Sequence, residues 1–281
     1  MNDGILLIDK EAGMTSRKVD NLIGRKLGQK KVGHLGTLDP FATGLLIVSL
    51  GKASKFLPYI DSSFKTYEAT LKLGSKTDTG DLTGALLSSK PVRKLSESEI
   101  NDALSSFLGV SYQLPPMTSA IKKDGVALYK LAHKGESAER EKRRIEIKEI
   151  GLIELGEDTF SFRVTSSSGT YIRTLGEDIA ERLGTVGHLE ALRRIKIGDA
   201  DVLNAKRIEQ VSEDDLLSPS SFLTLEKIEI DEKEAEDARN GKKMRIEKTS
   251  GDEVALMKEG EAIAVYVRLE GDVFVSKRGL F

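Results

Sequence analysis

The chain of 281 residues contains no cysteine. That excludes disulfides, a thiolate nucleophile and cysteine-ligated zinc or iron–sulfur centres. Its three histidines, His34, His133 and His188, lie far apart in no HExxH or paired spacing, so a transition-metal site has weak support and no metal is expected. Neither GxxxxGK[ST] nor a helix-opening GxGxxG occurs, which removes the usual signatures of nucleotide and dinucleotide binding. No apolar run approaches the roughly 20 residues of a membrane span. The opening MNDGILLIDKEAG carries an acid at Asp3 and too short an apolar stretch for a signal peptide, so a cytoplasmic protein with no membrane partner is expected. An excess of one charge is also lacking: 43 Lys plus Arg against 45 Asp plus Glu leave −2, and bulk electrostatics gives no case for nucleic acid.

What is present is an ordinary globular composition, 39% hydrophobic and 31% charged, in a chain long enough for a large domain with or without a small one. GILLID (4–9) reads as a buried strand, followed by Thr15 or Ser16 as a helix N-cap. Val19, Leu22, Ile23 and Leu27 then recur at helical spacing up to Gly28. GLLIVSLG reads as a buried strand, and YEATLKLG, with Tyr67, Ala69, Leu71 and Leu73 alternating with polar residues, as a half-buried one. A helix is expected over 96–108, strands near 143–150 and 159–165, and a helix in GTYIRTLGEDIAERLG (169–184) with Arg173 in its first turn. Beyond about residue 222 the texture shifts to a short charged helix ending at Asn240-Gly241 and alternating segments near 253–257, 262–268 and 272–276. The fold class is α+β, with domains expected over 1–222 and 223–281.

Basic side chains cluster locally. Residues 10–31 hold seven against two acids, and residues 122–148 hold nine against five. Taken alone, these read more readily as the solvated faces of ordinary helices. Asp78-Thr79-Gly80 matches the aspartic-protease tripeptide, but a single copy in the polar run SKTDTGDLTG reads as a turn.

Asp39 is different. In VGHLGTLDPFATG (32–44) it is the single acid, and no Lys or Arg accompanies it. The residue before a proline is pushed into extended backbone, so Asp39 cannot lie inside a helix, while Pro40 fixes the chain after it. Gly33, Gly36 and Gly44 allow tight paths and close approach by another molecule. A rigid loop presenting one carboxylate suits a nucleophile or general base.

The segment GHLGTLDPFATGLL closely resembles the catalytic signature of the TruB family of tRNA pseudouridine synthases. Further similarities follow in order: KTYEATLKLGSKTDTGD (65–81), QLPPMTSAIKKDGVALYKLAHKGESAER (113–140), SSGTYIRTLGEDIAERLG and GHLEALRRIKIG (187–198). The resemblance implies a pseudouridine synthase fold, with a central mixed, mostly antiparallel sheet flanked by helices, an RNA-gripping insertion near 113–145, and a small β-rich C-terminal domain of PUA type. It implies isomerisation of uridine 55 in the T loop of tRNA, without a cofactor, by an enzyme expected to act as a monomer.

By the same resemblance Asp39 is the catalytic aspartate, acting on the sugar, on the base or in the departure of uracil. Arg173 is its guanidinium partner, and Tyr67 stacks on the target base. Leu192 closes the other side of the pocket, and His34 inserts into the T loop. Lys10, Gly33, Thr37, Asp81 and Tyr171 are expected to contact the substrate. The non-catalytic alternative is a protein that binds or folds tRNA through the same surface. Two positions depart from the family pattern: Glu11 and Lys142 stand where prolines are usual, which puts RNA contacts near them in doubt.

Overall fold

The computed structural model describes residues 3–119, 122–123, 126–127, 136, 138–247 and 249–280. Of the insertion expected near 113–145, residues 120–121, 124–125, 128–135 and 137 lie outside them.

The first strand, β1 (Gly4–Lys10), leads into α1 (Ser16–Lys26), whose N-cap Thr15 accepts from the Lys18 amide. Gly28, at φ 63°, follows the helix C-cap. Next come β2 (Val32–Leu35), β3 (Thr43–Leu50) and β4 (Phe64–Leu73), then the small hairpin of β5 (Ser75–Thr77) and β6 (Leu86–Ser89). Helix α2 (Glu97–Ser105), opened by a capping box between Ser96 and Glu99, precedes β7 (Gly109–Gln113). Two short strands, β8 (Lys122–Lys123) and β9 (Val126–Ala127), pair with each other. After them run β10 (Arg143–Leu155), β11 (Thr159–Ser167), α3 (Ile172–Arg182), β12 (Gly187–Ile197) and β13 (Ala200–Asp201).

The central sheet runs in the order β1-β3-β12-β4-β11-β10-β7, with β2 against β3 and β13 against β12. Its pairs are antiparallel except β3 with β12, which run parallel at Arg193↔Thr43 and Arg194↔Gly44. The mixed, mostly antiparallel sheet expected from the sequence is therefore present. On one face, Leu71, Phe160, Phe162 and Leu189 pack against Ile100 and Leu104 of α2 and Leu175 and Ile179 of α3 in one apolar cluster. A second cluster joins α1 to β1 and β3 through Val19, Ile23, Leu6 and Val48.

The C-terminal part is the β-rich unit expected there. Strands β14 (Glu226–Glu229), β15 (Met244–Arg245), β16 (Glu253–Lys258), β17 (Glu261–Glu270) and β18 (Val273–Gly279) form a sheet in the order β14-β16-β17-β18-β15, packed by α4 (Glu232–Arg239). Phe56, which follows β3, and Leu223, which precedes β14, share an apolar cluster with Ala255, Met257 and Val265, so the C-terminal sheet is joined to the preceding part of the chain by buried contact. Among the described residues no helix is long and apolar enough to cross a membrane.

Candidate active site

Asp39 opens a tight turn: the Ala42 amide donates to the Asp39 carbonyl at 3.1 Å, with Pro40 in the position whose fixed φ the turn requires. Three attachments hold this turn. The Leu38 amide donates to Ser16 Oγ at 2.9 Å, and the same hydroxyl lies 3.2 Å from the Leu38 carbonyl. The Gly13 amide donates to the Pro40 carbonyl at 2.8 Å. Lys10 is fully buried, and its Nζ donates to the carbonyls of Glu11, Met14 and Pro40. Burial lowers the Lys10 ammonium to about 8, against the attraction of nearby Asp39. Lys10 thus braces the loop from behind.

Arg173 enters from the first turn of α3, 5% exposed. Its Nε donates to Asp39 Oδ2 at 2.9 Å and its Nη2 to Asp39 Oδ1 at 3.3 Å. The remaining donors reach the Thr79 carbonyl at 2.7 Å, Thr118 Oγ1 at 2.6 Å and the Thr118 carbonyl at 3.0 Å. Every edge of the guanidinium is occupied, which fixes its plane and with it the carboxylate. A second acid, Asp81, lies 3.7 Å from Arg173 Nη1 and is itself buried, with Oδ1 accepting from Thr79 Oγ1, the Thr83 amide and Thr83 Oγ1. Burial raises the Asp39 carboxyl above its ordinary 3.8, Arg173 opposes that rise, and Asp81 adds to it. The resulting group is a carboxylate partly withdrawn from water and clamped by one guanidinium.

Tyr67 on β4 faces the same space. It sits opposite Arg194 across the β4/β12 ladder. Arg194 is 1% exposed: its Nε donates to the Leu45 carbonyl and its Nη2 to the Gly36 carbonyl, both at 2.8 Å. Burial lowers the Arg194 guanidinium, and the Tyr67 hydroxyl, within hydrogen-bonding reach, opposes that shift. Gly36 bends at φ 71° and Gly44 at φ 99° to let this arginine through; a Cβ on Gly44 would stand 2.2 Å from the Arg194 carbonyl. Lys65 lies alongside, its Nζ donating to Ser168 Oγ at 2.7 Å, with burial and Arg194 lowering it to about 8.

These groups enclose a cavity of about 250 Å³. Asp39, Tyr67, Arg173, Leu192, Tyr171 and Thr37 all line it, although they are scattered along the chain from residue 37 to residue 192. His34, Gly33, Lys10 and Asp81 do not. Gly33 and His34 lie on β2, with His34 Nδ1 2.9 Å from Asp20 Oδ2 and Nε2 3.2 Å from Thr37 Oγ1. Tyr171 caps α3 and exchanges two hydrogen bonds with the amide side chain of Gln113 at the end of β7. A larger groove of about 770 Å³, lined by Glu68, Thr70 and Ser161 among others, occupies the opposite face of the sheet and shares Leu192. It holds no comparable cluster of buried charge among the described residues, so the smaller cavity is the site.

The family model described as TruB family pseudouridylate synthase (N terminal domain) matches residues 24–172. The chain belongs to the TruB family. The tRNA pseudouridine synthase B of Geobacter sulfurreducens is 45% identical over 229 residues, covering 79% of this chain and 75% of that protein. That of an Azoarcus species is 42% identical over 271 residues, covering 94% and 90%. Among solved structures, one described as a Cbf5-Nop10-Gar1 complex superposes with a TM-score of 0.77 at 22% identity, over 100% of this chain and 85% of that one. An H/ACA RNP bound to a substrate RNA containing 2'-deoxyuridine gives 0.75 at 20%, over 99% and 85%. At these identities the two structures bear on the fold alone, and the fold agrees with the architecture expected of a TruB enzyme.

Three cavity residues escape a reading of the sequence. Arg194 looks like half of a surface Arg-Arg pair, Lys65 like an exposed strand lysine, and Thr118 like a loop residue. One signal was available for Arg194: it falls two residues after Leu192, on the same side of an alternating strand. Of the two departures from the TruB pattern, Glu11 is compensated, because its Oε1 accepts from Arg207 Nη1 at 2.8 Å and ties the loop down. Lys142 is exposed just before β10.

Proposed function

We propose that this TruB enzyme isomerises uridine 55 in the T loop of tRNA, as a cytoplasmic monomer, through catalysis by Asp39. The reading is supported above all by the ion pair of Asp39 with Arg173 at the floor of a base-sized cavity flanked by Tyr67 and Leu192. It is supported too by the relatives of similar length called tRNA pseudouridine synthase B. The cavity, at about 250 Å³, is below the roughly 300–1,000 Å³ of drug-sized sites. It suits one nucleotide swung out of its stack, an extraction costing a few kcal/mol.

In such a pose uracil lies between the Tyr67 ring and Leu192, with stacking worth roughly 1–3 kcal/mol. The Asp39 carboxylate faces the glycosidic linkage. The N1–C1′ bond breaks, the base turns while held by Tyr67, a C5–C1′ bond forms, and the proton lost from C5 is balanced by one gained at N1. The product is an isomer of the substrate, so no co-reactant enters. Lys65 and Arg194 make the cavity wall cationic, which favours entry of a nucleotide. His34, on β2 and within hydrogen-bond distance of the cavity-lining Thr37, would enter the space left by the flipped base.

A protein that merely bound or folded tRNA would have no use for a half-buried carboxylate locked onto a fully saturated arginine. The test is tritium release from tRNA transcribed with label at uridine C5. Wild type releases tritium. Asp39→Ala releases none while still binding tRNA, and turnover by that variant refutes the assignment.

A further inference from the structure

Helix α1 carries a buried acid that the proposed reaction does not use. Asp20 lies on the inward face of the helix between Val19 and Ile23, 2% exposed, where an apolar side chain would be less costly. Its Oδ2 lies 2.9 Å from His34 Nδ1 and 3.4 Å from Nη1 of the largely exposed Arg17. Its Oδ1 is buried with no hydrogen-bond partner among the described residues. A carboxylate placed to tie the helix to the sheet would use both oxygens. This one serves the imidazole. On the far side of that ring, Nε2 lies 3.2 Å from Thr37 Oγ1, so acid, imidazole and hydroxyl form a chain from α1 through β2 to the loop that carries Asp39. One helical turn earlier, on the same face, Ser16 holds Leu38.

We propose that Asp20 is a positioning residue, which fixes His34 as the Nδ1–H tautomer and locks its ring for insertion into RNA. An ionised carboxylate only accepts hydrogen bonds, so the ring nitrogen facing it carries the proton. Nε2 is left with its lone pair, which accepts from the Thr37 hydroxyl. A carboxylate behind an imidazole holds the tautomer in the same way in hydrolase triads. Ordering a side chain on binding costs free energy, and a ring already held by Asp20 meets the RNA without that cost. The role in RNA binding rests on the proposed function of His34; the tautomer does not.

Two measurements on the full chain test this. The first is the ¹⁵N spectrum of the imidazole rings at about pH 8.5, two units above the ordinary histidine value of about 6.5. Only three histidines contribute, and His34→Ala identifies the ring of interest. Wild type should show His34 protonated on Nδ1 alone. Asp20→Ala should shift the ring to the Nε2–H form, while Asp20→Asn, whose amide oxygen still accepts, should retain the wild-type pattern. The second is steady-state tritium release. Asp20→Ala should raise KM for tRNA about tenfold, the loss of one charge-assisted hydrogen bond, with kcat little changed and Asp20→Asn recovering most of it. The Asp20→Ala/His34→Ala double variant should be no worse than His34→Ala. An Nε2–H or doubly protonated His34 in wild type, a ring unmoved by Asp20→Ala, or losses that multiply in the double variant would each overturn the proposal. If the spectra behave as expected but wild type does not react with tRNA, the functional reading fails and the tautomer assignment stands.

Discussion

Asp39 and Arg173 stand 134 residues apart in sequence and meet as a two-pronged ion pair, Nε to Oδ2 at 2.9 Å and Nη2 to Oδ1 at 3.3 Å. The partners are unequal: the arginine is 5% exposed and saturated with acceptors, whereas 35% of the aspartate side chain remains open to the cavity. One group is scaffold, and the other is available to a substrate.

Replacing Arg173 by Met should therefore do more than remove a charge. It leaves Asp39 facing Asp81 without compensation and removes the clamp that orients the carboxylate. The expected result is a fall in kcat/KM of a hundredfold or more. The Asp39 carboxyl already lies above its ordinary value, so activity should be lost as pH falls through that raised value; without Arg173 this acid limb should move to still higher pH. The linkage runs in the opposite direction to activity. The folded state holds the Asp39 proton more tightly than the unfolded chain does, so stability declines as pH rises between 3.8 and the raised value, over a wider window in the variant. A pH profile of tritium release with parallel urea titrations checks both.

Tyr67 offers a ring and a hydroxyl, and two substitutions separate them. Tyr67→Phe keeps the stacking face and should bind tRNA like wild type, with turnover reduced at least a hundredfold if the hydroxyl moves a proton. Tyr67→Leu should weaken binding as well, by roughly 1–3 kcal/mol. Filter binding alongside single-turnover kinetics distinguishes the two effects.

Gly44 lines no part of the cavity, yet the path of Arg194 depends on it. At φ 99°, with a Cβ falling 2.2 Å from the Arg194 carbonyl, Gly44→Ala should force β3 and β12 apart at their parallel contact. A destabilisation of at least ~2 kcal/mol is expected, combining strain and clash. Urea unfolding measures it. Activity should fall even where the variant is folded, because Arg194 braces both Gly36 and Tyr67.

Much of this arrangement could be read from sequence where one local rule dominated. The helix of Val19, Leu22, Ile23 and Leu27 and the strand of Tyr67, Ala69, Leu71 and Leu73 followed from period alone, and the rigidity of Asp39 followed from Pro40. Strand β12 shows where such rules stop. Its ladder with β4 slips between Leu189 and Ala191 and again between Arg194 and Lys196. Each bulge inserts a residue and reverses the parity of the positions beyond it, so Leu189, Leu192, Arg194 and Ile197 are buried at uneven intervals. The two-residue step from Leu192 to Arg194 survives between the bulges, but no alternation along the whole strand marks Arg194 as interior. Asp20 was hidden for a related reason: a charged residue in an amphipathic helix is assigned to the solvent side, and only the fold shows it facing His34.

The central claim is that Asp39, held by Arg173, makes pseudouridine in tRNA. The most direct test is nucleotide-resolution mapping of pseudouridine in an unmodified tRNA transcript incubated with wild type or Asp39→Asn. A single new pseudouridine at position 55 with wild type, and none with the variant despite equal tRNA binding, is the predicted result. Pseudouridine formed by Asp39→Asn, or none formed by wild type, would contradict it.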